Sequence, residues 1–298
     1  MLYPCWIMLH KLRLVRRDQF SSNGIISGDP LTGVIVVLLE EKLQFRILGS
    51  LEVRNAGKKL IVTAPKQQAV LVSLVLGANE FVSIDSLADY VWDGRPPAAY
   101  RTTLQAYVYR LRRLFERSPG VELSTGIAGY MLEVNPVAID LPVFRQKVQL
   151  ARELVKCREI DRATRELRDA LSVWRGNALS GVPGELLQQE ARFLESERLA
   201  AYEELLSLEI SLGNHRRIIP ELSKLVISHP LRETLAAQLM LALYRSGMQA
   251  EALQSYAAAR SRLREELGIE PGAELQELHK GVLSRLPAES IPIPAWPE

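Results

Sequence analysis

The sequence predicts a mainly α-helical protein with a small β part, arranged as two consecutive regions. Apolar and polar residues alternate with a period of two near residues 43–63 and 121–134, which is typical of short strands. Between and after these segments, apolar residues recur at intervals of three and four, which is typical of amphipathic helices. With 298 residues, 47% of them hydrophobic, the chain is long enough to bury two cores.

Residues 43–139 are predicted to form a winged helix-turn-helix. The first alternating segment turns at glycines and predicts a small antiparallel sheet. Pro65 suits the first turn of a helix, and Ser83 or Asp85 can cap a second helix. A third helix and a hairpin, "VELSTGIAGYMLEV", follow. Three helices before a hairpin make a winged helix-turn-helix, in which the third helix enters the major groove of DNA.

The third helix, "TTLQAYVYRLRRLF", is amphipathic and basic. At ~100° of rotation per residue it separates into two faces. The core face contains Leu104, Tyr107, Val108, Leu111, Leu114 and Phe115. The opposite face contains Thr102, Thr103, Gln105, Ala106, Tyr109, Arg110, Arg112 and Arg113. Residues 100–117 hold five arginines and one glutamate, in a chain whose net charge is only +2. This face is therefore suited to phosphates and base edges.

Residues 140–286 are predicted to form an all-α, tetratricopeptide-like repeat region. Helical spacing covers the segments 143–158, 161–174, 186–212, 215–228, 231–246 and 249–267, with one more helix ending near residue 286. Gly213 and Gly247 lie 34 residues apart, which is the period of tetratricopeptide helix pairs. The region balances 21 basic against 21 acidic residues, and stacked helical pairs offer concave surfaces to protein partners. Residues 287–298 are predicted to be a proline-rich tail.

The composition argues against an enzyme or a metal protein. Two cysteines cannot build a multi-disulfide framework or a thiolate metal cluster, and the four histidines lack ligand spacing. No phosphate-binding glycine loop, dinucleotide fingerprint or nucleophile elbow is present. We therefore expect no catalytic residues, no metal site and no cofactor.

Residues 1–42 do not fit either region. Their basic residues follow the first apolar run, which is the reverse of a secretory signal. The run "GVIVVLLE" is far shorter than the ~20 apolar residues that span a bilayer. The segment could be an ordered strand, a loose tail or sequence upstream of the true start. The absence of targeting and membrane signals predicts a cytoplasmic protein without a membrane partner, and the predicted DNA-binding helix would associate it with the nucleoid.

Residues 43–286 resemble the Streptomyces antibiotic regulatory protein family, in which an OmpR-like winged helix precedes a bacterial transcriptional activator domain. The resemblance is carried by "FRILGSLEV", "TLQAYVYRLRRLF", "GYMLEV", "ALSVWRGNALSGVP" and the long segment "HPLRETLAAQLMLALYRSGMQAEALQSYAAARSRLREELGIEP". The chain looks like the small form of the family, without the ATPase domain of larger relatives. The resemblance implies a transcriptional activator of a secondary-metabolite gene cluster.

The family resemblance also implies partners and contact residues. Such proteins bind direct repeats near the promoter as head-to-tail dimers, and contact RNA polymerase and its principal sigma factor. Matching the motifs places Gln105, Ala106, Tyr109 and Arg110 in the groove. It places Thr102, Arg112 and Arg113 on phosphates. Lys66 and Gln67 would lie near backbone phosphates at a helix N-terminus, where amide groups favour an anion.

The sequence departs from the family pattern at two positions. Gln68 stands where the family commonly has arginine after Lys-Gln, and Met131 stands where the wing often has the arginine that reaches the minor groove. We therefore expect the wing to contribute less, through Tyr130 and backbone groups, and the third helix to contribute more.

Two other functions remain open at this stage. The chain could be a helical-repeat scaffold for proteins whose winged helix no longer binds DNA. A scaffold, however, has no reason to keep Arg110, Arg112 and Arg113 together. It could also be a repressor that uses the same DNA-binding mode.

Overall fold

A computed structural model describes residues 43–116 and 118–294, so the predictions for residues 1–42 lie outside it. The first part contains two antiparallel sheets and three helices. One sheet has the order β1-β2-β3, and the other has the order β4-β6-β5. The elements are β1 (Leu43–Arg46), β2 (Glu52–Asn55), β3 (Lys58–Leu60), α1 (Pro65–Leu76), β4 (Val82–Ser83), α2 (Ile84–Trp92), α3 (Tyr100–Phe115), β5 (Val121–Thr125) and β6 (Gly129–Val134).

The second part is helical. Its elements are α4 (Asp140–Lys156), α5 (Ile160–Ser172), α6 (Glu185–Ser211), α7 (His215–Ser228), α8 (Glu233–Arg245), α9 (Gln249–Leu267) and α10 (Ala273–Leu283). The predicted bounds of α7 and α9 agree with the observed ones, and the other predicted helices differ by one to three residues at their ends. Gly213 and Gly247 both have positive φ, of 79° and 81°, and each ends one helix just before the next begins. The predicted fold class is confirmed.

Strand β4 is absent from the sequence-based prediction. It is only two residues long, too short to show alternation, and it pairs with β6 through Val82↔Tyr130 and Ser83↔Gly129. A Cβ atom at Gly129 would lie 2.1 Å from the carbonyl oxygen of Val82, so only glycine allows this approach. Ser83, rather than Asp85, caps α2, since its hydroxyl accepts a hydrogen bond from the amide of Ser86.

The first hydrophobic core crosses the boundary that the sequence suggests near residue 140. It contains buried side chains from Leu43 in β1 through Phe115 in α3 to Leu208 in α6. The second core begins in the same helix, at Leu199, and ends at Ile291. Helix α6, 27 residues long, therefore contributes side chains to both cores. The three-helix unit is packed against helices of the second part instead of standing apart from them. We call α4 to α10 the activator helices, or activator region, after the domain that the family resemblance leads us to expect there.

The junction between the first sheet and the activator helices depends on Asp140, at the start of α4. Its carboxylate accepts hydrogen bonds from the backbone amides of Ile47 and Leu48, at 2.9 and 3.0 Å. In return, the carbonyl groups of Ile47 and Leu48 accept from the amides of Leu179 and Arg175. Burial raises the pKa of the Asp140 carboxyl, against the opposing effect of these amide donors and of Arg175. The end of β1 is thus fully hydrogen-bonded to the activator region.

The segment predicted as a tail packs against the second core as far as residue 294. Ile291 is buried, and the hydroxyl of Ser207 in α6 donates to the carbonyl oxygen of Pro294 at 3.0 Å. Arg245 donates to the carbonyl oxygens of Ala288 and Ile291. Proline-rich composition alone did not predict this packing, because irregular backbone has no periodicity to recognise.

A buried carboxylate, Glu209, links three helices where α6 ends. Its side chain is 0% exposed and accepts from Arg168 of α5, from Arg217 of α7 at 2.7 Å and from Asn214 at 2.6 Å. Burial alone would raise the pKa of Glu209, but the hydrogen bonds from Arg168 and Asn214 hold it below its ordinary value. The charge is therefore stabilised by its partners.

We predict that Asp140→Ala lowers the free energy of unfolding by about 2–5 kcal/mol, because two buried amides lose their acceptor. Asp140→Asn keeps one oxygen and should cost less. Asp161→Ala, at an exposed aspartate in the first turn of α5, is the control and should cost under about 1 kcal/mol. Urea unfolding followed by circular dichroism measures all three. Equal losses for Asp140→Ala and Asp161→Ala would contradict this role of Asp140.

We also predict a pH-dependent contribution from Glu209. Because its pKa is lower in the folded chain than the ordinary 4.5, its contribution to stability is complete above that pH and lost as the pH falls through the folded pKa. The stability difference between wild type and Glu209→Gln should thus be largest near neutral pH and shrink below pH ~4. Glu277→Gln, at an exposed glutamate, is the control. A difference that stays constant with pH would refute the ionised network.

Candidate nucleic-acid interface

Helix α3 separates into the two faces that its sequence predicts. Leu104, Val108, Leu111 and Phe115 are buried, and Tyr107 and Leu114 are half-buried. Six predicted contact residues other than Arg112 are exposed on the opposite side, and we call them the exposed face of α3. They are Thr102, Gln105, Ala106, Tyr109, Arg110 and Arg113. Tyr109 is 61% exposed, so its ring and hydroxyl are open to solvent on this face.

The start of α3 is anchored to α2. The hydroxyl of Tyr100 donates to Asp85 at 2.8 Å, and the guanidinium of Arg101 reaches the same carboxylate at 3.2 Å. The ring of Tyr100 also meets the ring of Trp92 edge-on, with centroids 6.5 Å apart. These contacts fix the angle between α2 and α3. The sequence of the turn between these two helices does not predict that angle.

The three arginines of α3 have different surroundings. The guanidinium of Arg110 lies 5.9 Å from the ring centroid of Tyr107. Arg113 is exposed and makes no hydrogen bond or ion pair within the described part of the chain. Arg112 instead donates from Nε to the carbonyl oxygen of Leu123 at 2.8 Å and from Nη2 to the hydroxyl of Thr125 at 2.6 Å. Two donors of Arg112 are therefore bonded to β5, and its predicted phosphate contact stays a prediction.

Tyr130 lies in the interior, although it is predicted to contact DNA. Its side chain is only 5% exposed and belongs to the first core. Alternation along β6 explains the burial, because Tyr130, Leu132 and Val134 share the face that packs into the first core. Ile127, which the sequence analysis does not single out, is fully exposed at the hairpin tip. It is an apolar residue in the short segment between Gly126 and Gly129.

The hairpin tip rests on Phe81. The amide of Gly126 donates to the carbonyl oxygen of Gly129 at 2.9 Å, which closes the tip. A Cβ atom at Gly126 would lie 2.5 Å from the ring of Phe81, so the ring occupies the space beside the turn. We call β5, β6 and this tip, residues 121–134, the wing.

The first turn of α1 presents Lys66 and Gln67. The ammonium group of Lys66 lies 5.1 Å from the ring centroid of Trp92, and Gln67 is half-buried. The residue before α1, Ala64, supplies no side-chain cap, so no side chain competes for the first amide groups of the helix. Gln68 turns inward and donates to the carbonyl oxygen of Val62 at 2.7 Å.

Positive and negative side chains lie on different parts of this surface, namely on α3 and on the wing. Residues 100–115 contain no acidic residue, and the exposed face of α3 carries Arg110 and Arg113. The wing, by contrast, contains Glu122 and Glu133 and no lysine or arginine. Positive charge therefore lies on the helix rather than the wing, and it is the helix that offers bidentate donors to base edges and phosphates.

Other kinds of site find no support in the described residues. Across 43–116 and 118–294, no three histidine, cysteine, aspartate or glutamate side chains come together as a metal site. None of the helices in that part of the chain is both long and apolar enough to cross a membrane.

Comparison with protein families gives two matches in sequence order. Residues 57–132 match the model "Transcriptional regulatory protein, C terminal", and residues 139–283 match the model "Bacterial transcriptional activator domain". The first match includes α3 and most of the wing. The second includes the helices from α4 to α10.

Similar proteins carry the same two-part arrangement over most of this chain. Regulatory protein DnrI of Streptomyces peucetius is 35% identical over 250 residues, which cover 81% of this chain and 92% of DnrI. Transcriptional regulator RedD of Streptomyces coelicolor is 33% identical over 263 residues, which cover 86% of this chain and 75% of RedD. A solved structure of Mycobacterium tuberculosis EmbR in complex with a low affinity phosphopeptide superposes with a TM-score of 0.80 at 31% identity, and covers 85% of this chain and 68% of that one.

DnrI is a regulatory protein and RedD a transcriptional regulator, and the alignment covers nearly the whole length of DnrI. The two matched models follow one another along the chain in the same order as the winged helix and the helical region. The chain therefore belongs to the Streptomyces antibiotic regulatory protein family of transcriptional regulators.

Proposed function

We propose that this protein is a sequence-specific DNA-binding activator of transcription, dedicated to a secondary-metabolite gene cluster. The observation that carries the proposal is the exposed face of α3, which presents two arginines, an amide and a tyrosine and no acidic group. Structural helices of soluble proteins usually mix charges of both signs on their solvent side. A face with only positive charge is suited to a polyanion.

The proposed contacts divide into base readout and backbone positioning. Gln105, Ala106, Tyr109 and Arg110 face the major groove, where Arg110 can bond guanine bidentately and Gln105 can do the same with adenine. The side chain of Ala106 can make an apolar contact with the methyl group of thymine. Thr102 and Arg113 bond phosphates on either side, and Lys66 and Gln67 add phosphate contacts from the start of α1. Sequence information therefore comes from α3.

The activator region is proposed to bind proteins. Residues 140–286 carry no net charge, so they add little to DNA affinity. We infer that two copies bind direct repeats head to tail, and that the activator regions contact RNA polymerase and its principal sigma factor. A heterologous contact of this type suits repeats in one orientation. The shared core supports this proposal, because it holds the activator helices at a fixed place relative to α3.

We predict different effects for the two arginines of the exposed face. Arg113→Ala should weaken binding to every duplex and lower the slope of log affinity against log salt by about one unit. Arg110→Ala should cost about 1–3 kcal/mol on the cognate repeat and relax preference at one base pair. The cognate repeat comes from selection of random duplexes by the full chain. Titrations at several salt concentrations then measure each variant.

The control for both variants is Arg165→Ala, which removes an exposed arginine from α5. This variant loses one positive charge, as the other two do, but at a position away from the exposed face of α3. It should therefore bind DNA like wild type. If Arg165→Ala weakened binding as much as Arg113→Ala, only overall charge would matter. If selection enriched no sequence, the protein would not be a sequence-specific binder.

We predict that spacing between repeats controls activation. Two repeats about one helical turn apart place both copies on one face of the duplex. Inserting about 5 base pairs rotates one copy to the opposite face and should abolish cooperative binding and activation, while each repeat stays occupied on its own. Footprinting and in vitro transcription with polymerase and the principal sigma factor measure the two effects. Activation that survives the insertion would exclude the tandem arrangement.

A further inference from the structure

The wing lacks the charge that a phosphate-binding hairpin needs. Residues 118–135 contain Glu122 and Glu133 and no lysine or arginine. These two glutamates are direct cross-strand partners, and Glu133 accepts a hydrogen bond from Ser124 rather than from a cation. Their negative charge repels the DNA backbone. If the wing touches DNA, it does so at its tip and without ionic bonds.

The tip has the chemistry of an apolar wedge. Ile127 is fully exposed between Gly126 and the Ala128–Gly129 pair, and no polar side chain lies within the four-residue tip. Apolar side chains of this kind contact sugars and base steps in the minor groove. Such a contact acts only over a short distance. It therefore depends on the position of the tip relative to α3, because α3 sets where the protein lies along the duplex.

Arg112 provides a direct tie between α3 and the wing. Its Nε and Nη2 atoms bond the carbonyl oxygen of Leu123 and the hydroxyl of Thr125, two residues of β5 that point to the same side of the strand. A planar guanidinium with two donors fixes both the distance and the angle of the strand that it bonds. The pair is formed next to the tip, since Thr125 is the residue immediately before Gly126.

We propose that Arg112 is a positioning residue, which sets the wing and its apolar tip Ile127 at a fixed place beside α3 so that the tip meets the minor groove. The inference rests on the proposed DNA-binding function and adds a specific role within it. Arg110 and Arg113 touch DNA, whereas Arg112 acts through the wing.

Stability of the fold does not depend on this tie. The wing is also held by the pairing of β4 with β6 and by the buried residues Tyr130 and Leu132. Thr125 is exposed, and so is Arg112. Variants at these two positions should therefore fold normally, and should change only the mobility of the tip.

The test compares full-length Arg112→Ala, Thr125→Val and Ile127→Ala on the selected cognate repeat. Each should bind about threefold or more weakly than wild type, with the salt slope unchanged, because no phosphate contact is lost. Thr125→Ser keeps the hydroxyl and should restore wild-type affinity. Arg113→Ala is the contrast, since it should lower the slope by about one unit.

Non-additivity gives the decisive measurement. If Arg112 and Thr125 act by placing Ile127, then Thr125→Val should cause no further loss in the Ile127→Ala background. Full additivity of the two losses would overturn the inference. A lowered salt slope for Arg112→Ala would also overturn it, since Arg112 would then be a phosphate contact. Wild-type affinity for Thr125→Val would overturn it as well, since the bond between Arg112 and Thr125 would then have no effect on binding.

Hydrogen exchange in the free protein separates this inference from the proposed function. Arg112→Ala and Thr125→Val should speed amide exchange in residues 121–134 while the melting temperature stays within about 2 °C of wild type. Unchanged amide exchange in both variants would contradict the positioning role of Arg112, even if DNA binding is confirmed. Faster exchange in a chain that binds no DNA would instead refute the proposed function and leave the mechanical tie in place.

Discussion

The carboxylate of Asp140 is the constraint on which the arrangement of the molecule depends. It accepts both amides at the end of β1, and the carbonyl groups of the same two residues accept from Leu179 and Arg175. A buried backbone segment without partners would cost several kcal/mol, so β1 can end here only if the activator helices are in place. Through this junction the first sheet, and the helices that pack on it, are fixed to the activator region.

The junction at Asp140 also bears on the distribution of charge between α3, which carries arginines, and the wing, which carries glutamates. A winged helix that stands free on a linker must hold DNA by its own contacts on both helix and wing. Here the unit is supported from behind by α4 and α6, and Asp93 at the end of α2 accepts from the first amides of α6. With that support, the base readout that we propose for α3 needs no positively charged wing, and the wing carries two glutamates.

Sequence patterns predicted the elements much better than their contacts. Periodicity located α3 and divided its faces correctly, because burial of Leu104 and Leu111 and exposure of Tyr109 follow from helix geometry alone. It could not show that Arg112 bonds β5 or that Tyr130 lies in the core, because both facts depend on how the wing packs against the helix. The two-residue strand β4, the packed segment 287–294 and the shared core were missed for the same reason: tertiary contacts leave no period in the sequence.

The length of α6 has a consequence for how the protein is made. Its 27 residues reach from the first core to the second, and the first core is closed by Ala201, Leu205 and Leu208. On the ribosome, chains grow from the amino terminus and domains ordinarily fold as they emerge. Here the part that carries α3 cannot complete its packing until residue 208 has left the exit tunnel. A nascent chain stalled after the wing would thus expose an unfinished hydrophobic surface to chaperones and proteases, and would not be released as a competing DNA-binding fragment.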